Sequence, residues 1–218
     1  VRAPYRLFQA ISFYKGTHIW LPNFALNFCA QKIRDRNFGN VDLSSLKAVI
    51  NCSEPMRFES HQVFFERFKK YGLRYEALAT CYAMAENVFA VTQGGIKGPV
   101  IVENVDQASL QVERKAIHAA DGRPSIKMLS AGRPLPNVKV RILDESGNTI
   151  SDRSVGEIAI LSNCMLSAYY NRPDLTRRAF KDGWYLTGDL GYMAQDEVFI
   201  TGRKKDLIIV GGKNVYPQ

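Results

Sequence analysis

Asp189 and Arg203 are the residues whose types and spacing point most directly to chemistry. Asp189 ends the run Thr-Gly-Asp, and Arg203 follows Gly202. A carboxylate accepts hydrogen bonds from two neighbouring hydroxyls, which is how nucleotide sites commonly hold ribose, and a guanidinium stays charged and offers several fixed donors. Both lie on turns between strand-like runs, where scaffolds display functional groups. A β-meander with solvated charged turns accounts for this spacing equally well.

Tyr82 and Glu86 form a second candidate pair, at the end of the strand-like run Ala79-Thr80-Cys81-Tyr82 and just after it. Ligands of open α/β sheets bind beyond the carboxyl ends of the strands. An aromatic ring there can stack on a base, and a carboxylate can hold Mg²⁺ through oxygen. The alternative is a core tyrosine followed by the first acid of a helix. Spacing alone favours that alternative.

The turn Ser53-Glu54-Pro55 follows a second apolar run, KAVIN at residues 47–51. Small residues after a strand let backbone groups approach a ligand closely. An ordinary turn leading into a helix would use the same residues, since Glu and Pro are good helix starters.

The elements that would position these residues begin with an α/β region. Up to residue 40 the chain is typical of helix and loop, with helices over residues 6–13 and from Pro22-Asn23. Residues 47–51 and 78–82 are typical of buried strands. The helix between them carries an apolar stripe of Val63, Phe64 and Phe68. Strand, helix and strand in this order form a βαβ unit, which predicts a parallel sheet. We assign this region to residues 1–95.

The pattern changes at Gly94-Gly95 to short apolar or alternating runs separated by turns. This spacing predicts a small β-barrel or antiparallel sheet over residues 96–202. Pro173 begins a short helix within it. The predicted strands lie at residues 97–105, 110–112, 138–143, 156–161, 197–201 and 207–210.

Composition and charge narrow the classes of function. With 46% hydrophobic and 23% charged residues, the chain is typical of a globular protein. Its net charge of +8 makes nucleic-acid binding a candidate function. The cations are, however, spread in small clusters without a recognition motif, so we predict no nucleic-acid binding. No apolar run approaches the ~20 residues of a membrane span, and no export signal is present. Four scattered cysteines indicate buried free thiols in a reducing cytoplasm.

Five collinear segments make the chain resemble the adenylate-forming superfamily of acyl-CoA synthetases, peptide-synthetase adenylation domains and luciferases. The resemblance implies part of an α/β parallel-sheet subdomain, then a small β-barrel or antiparallel subdomain. Residues 203–218 would be the hinge and the start of a truncated C-terminal domain, and their Lys-Asn-Val-Tyr-Pro-Gln ending is most similar to the fatty acyl-AMP ligase branch. The segments are Pro22-Asn23-Phe24-Ala25, Cys52-Ser53-Glu54-Pro55, Cys81-Tyr82-Ala83-Met84-Ala85-Glu86, Thr187-Gly188-Asp189 and Gly202-Arg203-Lys204-Lys205-Asp206.

The resemblance also implies a role for each matching position. Glu86 would bind Mg²⁺, Lys205 would be the hinge, Gly211-Gly212 would open the mobile domain, and Trp20 with Phe24 would begin the acyl pocket. Ala83 departs from the family's usual Gly. The ATP or AMP contacts would be Ser53, Glu54, Pro55, Cys81, Tyr82, Ala83, Asp189 and Arg203.

The implied reaction has two halves. A carboxylic acid, here a fatty acid, attacks the α-phosphate of ATP, and pyrophosphate leaves an acyl-adenylate. A thiol of CoA or of a carrier-protein phosphopantetheine then takes the acyl group. Residues 97–127 resemble the insertion of acyl-AMP ligases and favour a carrier protein.

Two alternatives stay open. One is an acyl-CoA synthetase proper. The other is a nucleotide- or partner-binding module without turnover, because the family's phosphate loop and catalytic lysine fall outside these 218 residues. We therefore expect the isolated chain to be inactive.

Overall fold

The structure is a computed structural model that describes residues 2–206 and the backbone of residues 208–210 and 213–215. None of the helices in these ranges is long and apolar enough to cross a membrane. The α-helices are α1 (Tyr5–Tyr14), α2 (Asn23–Lys32), α3 (Phe58–Phe68) and α4 (Pro173–Ala179). The strands are β1 (His18–Leu21), β2 (Ala48–Asn51), β3 (Leu78–Ala83), β4 (Ala90–Gly94), β5 (Val102–Asp106), β6 (Ser125–Leu129), β7 (Arg133–Pro134), β8 (Val138–Leu143), β9 (Gly156–Ser162), β10 (Phe180–Lys181), β11 (Trp184–Ala194), β12 (Glu197–Arg203), β13 (Ile208–Val210) and β14 (Lys213–Val215).

The first sheet has the strand order β1-β2-β3-β4-β7. The pairs β1–β2 and β2–β3 are parallel, and β4 and β7 add to the sheet in antiparallel orientation. Helix α3 connects β2 to β3, as a parallel crossover requires. The prediction of an α/β region with a parallel sheet is therefore confirmed.

Strand β1 corrects the prediction of helix and loop for the first forty residues. It pairs in parallel with β2, with His18 opposite Ala48 and Leu21 opposite Asn51. The strand is only four residues long, and its hydrogen-bond partners lie thirty residues further along the chain. Local apolar spacing carries no signal for such a partner.

The second sheet is antiparallel, with the strand order β10-β11-β9-β8. Strand β12 also pairs with β11, from Asp189 to Ala194, beyond the part of β11 that pairs with β10. Register shifts on β11, between Leu186 and Leu190 and between Leu190 and Gly191, bend it. Strands β5 and β6 form a separate antiparallel pair. This curled sheet confirms the prediction of an antiparallel region.

The predicted strand at residues 110–112 is wrong, because Ser109–Glu113 is a π-helix. The Asp106 carboxylate accepts a hydrogen bond from the Ser109 amide at 2.8 Å and so starts a helical turn. Leu110 is buried in the apolar cluster that includes Tyr192 and Phe199. Burial of one face explains the apolar run without a strand.

An aromatic cluster forms the core between the first sheet and its helices. The ring of Phe68 stacks on Phe8 and Phe38 with centroid distances of 4.9 and 5.5 Å, and Phe64 lies 4.7 Å away. Val63, predicted to share this stripe, is 45% exposed. Its position next to Phe64 turns it away from the core, because neighbouring helix positions do not share a face.

His61 gives the stability of the protein a pH dependence. It is buried on α3, and burial lowers the pKa of His61 from its ordinary 6.5 to about 4. Between these values the unfolded chain binds a proton that the folded protein does not, so stability is lost as pH falls. We expect a loss of about 2 kcal/mol from this residue between pH 7 and pH 5.

Urea denaturation of the parent and of His61→Leu across this pH range measures the effect. The His61→Leu protein should lose this part of the pH dependence, while replacing the exposed His118 by Gln should leave it intact. An unchanged pH slope in His61→Leu would contradict the assignment.

Candidate functional site

A cavity of about 370 Å³ lies where the two sheets meet. Its walls come from the turn after β2, the end of β3, the short helix that follows, and strands β11 and β12. The structure thus brings together chain segments that are far apart in sequence. The lining includes all the predicted nucleotide contacts and the predicted metal ligand, namely Ser53, Glu54, Pro55, Cys81, Tyr82, Ala83, Glu86, Asp189 and Arg203.

Asp189 is the centre of the polar contacts in this cavity. It lies opposite Arg203 on the β11–β12 ladder, and Arg203 Nε donates to Asp189 Oδ1 at 3.0 Å. The Tyr82 hydroxyl donates to Asp189 Oδ2 at 2.6 Å. Each carboxylate oxygen has two lone pairs, so both can still accept from a ligand. Two adjacent hydroxyls of a sugar match that capacity.

Thr187, Gly188 and Asp189 lie within β11 and not on a turn between strands, which corrects the prediction. Thr187 and Gly188 form a local turn inside this strand, which fixes the direction of the Asp189 side chain. Thr187 Oγ1 donates to the Ile158 carbonyl at 2.7 Å and accepts from the Asp189 amide at 3.0 Å. Gly188 has φ +72, a left-handed conformation that glycine adopts without strain. Its amide donates to Glu157 Oε1 at 3.2 Å. The turn therefore interrupts the β9–β11 ladder beside Asp189.

Tyr82 is buried, but its polar end faces Asp189 rather than apolar core. Burial, together with the negative charge of Asp189, holds the pKa of Tyr82 well above its ordinary value. The phenol therefore keeps its proton and acts as a donor.

The neighbouring Cys81 is also buried, and burial raises the pKa of its thiol to about 12. The thiol is therefore unreactive at neutral pH, and Cys81 contributes only to the lining of the cavity. The four cysteines are free thiols, as predicted, although Cys164 is only half-buried.

Glu86 lies on a single 3-10 turn, Ala85–Asn87. Its carbonyl accepts from the Leu166 amide at 2.7 Å, and the Tyr169 hydroxyl lies 3.0 Å from Oε1. Val88 then has φ 62 and ψ −54, and the Phe89 amide bonds the Asn87 carbonyl. This is a γ-turn of the rare, strained kind. Such strain is typical of functional segments.

The residues present fit a metal that is shared with a nucleotide. No group of three or more His, Cys, Asp or Glu side chains able to hold a metal occurs in the described part of the chain. Mg²⁺ commonly takes only one or two carboxylates, with waters and substrate phosphates completing its shell. Glu86, a carboxylate lining the cavity, suits that arrangement.

Lys205 lies on the exposed 3-10 turn Lys204–Asp206 at the end of β12. A second, more open cavity joins it to Glu86 and Arg203. The adjacent Lys204 pairs with Glu157 at 2.8 Å. Gly211 and Gly212, the predicted opening of a mobile domain, lie outside the described residues.

Trp20 and Phe24 do not line the main cavity. They are 49% and 61% exposed, and Trp20 packs edge-on against Phe89 with centroids 6.4 Å apart. The Phe24 amide donates to Glu54 Oε1, which connects this surface to the cavity wall. Their assignment to an acyl pocket stays a prediction.

Sequence reasoning missed Tyr169 and Tyr185. Tyr185 lines the cavity, and its hydroxyl lies 2.9 Å from that of Tyr169. Tyr185 lies two residues before Thr187, and that proximity was the one local signal available. Tyr169 reaches Glu86 across 83 positions, which no local pattern encodes.

Comparisons with known proteins agree with this geometry. Residues 1–170 match the family described as AMP-binding enzyme. A putative ligase from Mycobacterium tuberculosis is 32% identical over 211 residues, covering 96% of this chain and 39% of the relative. The medium-chain-fatty-acid–[acyl-carrier-protein] ligase JamA from Moorena producens is 33% identical over 228 residues, covering 99% and 38%.

A solved chain from a study of fatty acyl-adenylate ligases of E. coli and L. pneumophila superposes with a TM-score of 0.94 at 30% identity, covering 100% of this chain and 39% of its own. The chain thus spans about two fifths of the length of these relatives. From the matched residues, the relatives and the shared fold, the chain belongs to the AMP-binding enzyme family.

Proposed function

We propose that this chain forms the nucleotide-binding part of a ligase that activates a fatty acid with ATP, producing an acyl-adenylate and pyrophosphate. The observation that carries the proposal is the single cavity lined by Tyr82, Glu86, Asp189 and Arg203. The fatty acid as substrate is supported by the names of the relatives, which include an acyl-carrier-protein ligase and fatty acyl-adenylate ligases.

Different residues of the cavity bind different parts of the nucleotide. Asp189 accepts from the ribose hydroxyls, while Arg203 and Tyr82 hold its carboxylate in place. Residues 53–55 and 81–83 enclose the adenine, with the Tyr82 ring as a stacking face. Glu86 binds Mg²⁺, which when bound offsets the charge of the phosphates.

The regions of the chain have corresponding roles. Residues 1–95 form part of the α/β subdomain, and residues 96–202 form the β-barrel-like subdomain. Residues 203–218 form the hinge and the start of a C-terminal domain, with Lys205 as the residue around which it turns. Hinges are a few residues at the ends of elements that absorb backbone changes, and Lys205 lies on the 3-10 turn Lys204–Asp206 that follows β12.

The acyl acceptor is the phosphopantetheine thiol of a carrier protein. One relative is named as an acyl-carrier-protein ligase. Residues 97–127, which resemble the insertion of acyl-AMP ligases, contact the rest of the fold through the bridge of Lys115 with Ser154 and through Glu103, which accepts from Arg153 and Tyr192. Ala116, within this segment, is fully buried in the apolar cluster that includes Tyr192 and Phe199.

The test is an assay on the full-length protein with ATP, Mg²⁺ and medium- or long-chain fatty acids. We expect pyrophosphate release that depends on the fatty acid, accumulation of acyl-adenylate, and thioester formation on carrier protein in preference to CoA. Heat-inactivated protein and an acid-free reaction are the controls.

Two results would contradict parts of the proposal separately. Pyrophosphate release no greater than in the acid-free reaction would refute fatty-acid activation. Release at the normal rate, with CoA acylated as readily as carrier protein, would refute only the choice of acceptor.

A further inference from the structure

We propose that Tyr169 is a positioning residue for Glu86, holding its carboxylate in the orientation in which it binds a divalent cation beside the nucleotide phosphates. The inference rests on the proposed function, because it requires Glu86 to be a metal ligand. It adds a residue from the loop before α4, outside the five short segments named in the sequence analysis.

The hydrogen bonds at this point have a defined direction. The Tyr169 hydroxyl lies 3.0 Å from Glu86 Oε1 and 2.9 Å from the Tyr185 hydroxyl. An ionised carboxylate can only accept, and a phenol has one proton to donate. Tyr169 therefore donates to Glu86, and Tyr185 donates to the oxygen of Tyr169. The hydrogen bonds thus form a chain from Tyr185 through Tyr169 to one carboxylate oxygen of Glu86.

The backbone of Tyr169 and the ring of Tyr185 are both held by neighbouring residues. The Tyr169 amide donates to Thr176 Oγ1 at 3.0 Å, which ties the loop to α4. Tyr185 is buried on β11, and the Phe180 ring packs edge-on against it at 5.5 Å. A phenol is protonated at neutral pH, so both hydroxyls can donate.

Glu86 needs such support because its own segment is short. Its 3-10 turn is followed at once by the strained turn at Val88, and a glutamate side chain has several rotatable bonds. A donor on Oε1 fixes the carboxylate plane and leaves Oε2 as the oxygen directed to a cation. Hydrogen bonds of this kind to metal-binding carboxylates typically set metal affinity.

The test measures metal binding directly on the full-length protein, with the phenylalanine variant of Tyr169. Mn²⁺ serves as the paramagnetic probe, and its binding is followed by electron paramagnetic resonance in the presence of α,β-methylene-ATP. We expect Tyr169→Phe to weaken Mn²⁺ binding about 10-fold. Binding of an acyl-adenylate analogue, which lacks the β- and γ-phosphates, should stay the same.

The matched control is Tyr170→Phe, the same exchange one residue further on. Tyr170 is 91% exposed, and its variant should bind Mn²⁺ like the parent. Glu86→Gln supplies the reference for loss of the ligand itself. Tyr185→Phe removes the donor to Tyr169 but leaves the Tyr169 hydroxyl on Glu86, and it should weaken Mn²⁺ binding less than Tyr169→Phe. If Tyr169→Phe does not fold, weaker Mn²⁺ binding by Tyr185→Phe with parent-like binding of the acyl-adenylate analogue supports the positioning role, and parent-like Mn²⁺ binding contradicts it.

The outcomes separate this inference from the function on which it rests. Parent-like Mn²⁺ affinity in Tyr169→Phe, with reduced affinity in Glu86→Gln, would overturn the positioning role alone. An equal loss of Mn²⁺ and of acyl-adenylate analogue in Tyr169→Phe would also overturn it, since the residue would then support the whole cavity. Parent-like affinity in Glu86→Gln would refute the metal role of Glu86 and this inference with it.

Discussion

The Asp189→Asn protein should bind a non-hydrolysable acyl-adenylate analogue about 100-fold more weakly than the parent chain. Asp189 is the buried acceptor to which the ribose hydroxyls would donate, while its oxygens also accept from Tyr82 and Arg203. A hydrogen bond to a charged group contributes about 1.5–3 kcal/mol. Losing the charge and one acceptor should cost about 3 kcal/mol, which is about 100-fold in affinity. Isothermal titration calorimetry measures it.

Asparagine keeps the shape of the side chain, so the change tests charge and acceptor capacity rather than packing. The matched control is Asp182→Asn on the exposed turn before β11. Asp182 has φ 50, a conformation that asparagine also tolerates, and this variant should bind like the parent. If the two variants bind with the same affinity, Asp189 does not hold the ribose.

The Gly132→Ala protein should be destabilised by about 4 kcal/mol, from left-handed strain and steric overlap together. Gly132 has φ +97, and a Cβ there would lie 2.0 Å from the Gln93 carbonyl carbon and 2.1 Å from the Gly94 nitrogen. Gly132 also accepts a hydrogen bond from the Val198 amide at 3.0 Å. This glycine is therefore the point where β4 of the first sheet meets β12 of the second.

Gly122→Ala separates strain from overlap. Gly122 has φ +79, and no atom lies within 4 Å of an added Cβ. Its replacement should cost only about 1–2 kcal/mol, the usual penalty of the left-handed region. Urea denaturation of both variants gives the comparison. Equal costs would mean that the sheets do not require the close approach at Gly132.

Much of the fold could be predicted where one short stretch carries its own pattern. Helix α2 begins after Pro22, and β8 alternates across a hairpin from β9, so their signals are local. Strand β7 could not be found this way. Its two residues, Arg133 and Pro134, join the first sheet beside Thr92 and Gln93, and only the tertiary fold brings them there.

The same limit applies to the site. Asp189 and Arg203 could be placed near each other because they lie in neighbouring segments of a predicted meander, although the structure puts them opposite each other within β11 and at the end of β12 rather than on turns. The contact of Tyr82 with Asp189 joins a strand of the first sheet to a strand of the second, and the contact of Tyr169 with Glu86 joins residues 83 positions apart. Periodicity identifies which residues face a core, but it carries no information about which two loops meet. A resemblance to known enzymes supplied Tyr82 and Glu86, and the structure alone revealed Tyr169.

The hydrogen bond between Tyr82 and Asp189 spans 107 positions of the chain, which has a consequence for folding. The cavity exists only after both sheets have formed and docked, so an unfolded or half-folded chain has no site to offer. A ligand that binds only the native state raises the free energy of unfolding, by about 2.7 kcal/mol at a concentration 100 times its Kd. If the cavity binds a nucleotide as proposed, the nucleotide would therefore stabilise only those molecules in which both sheets have docked.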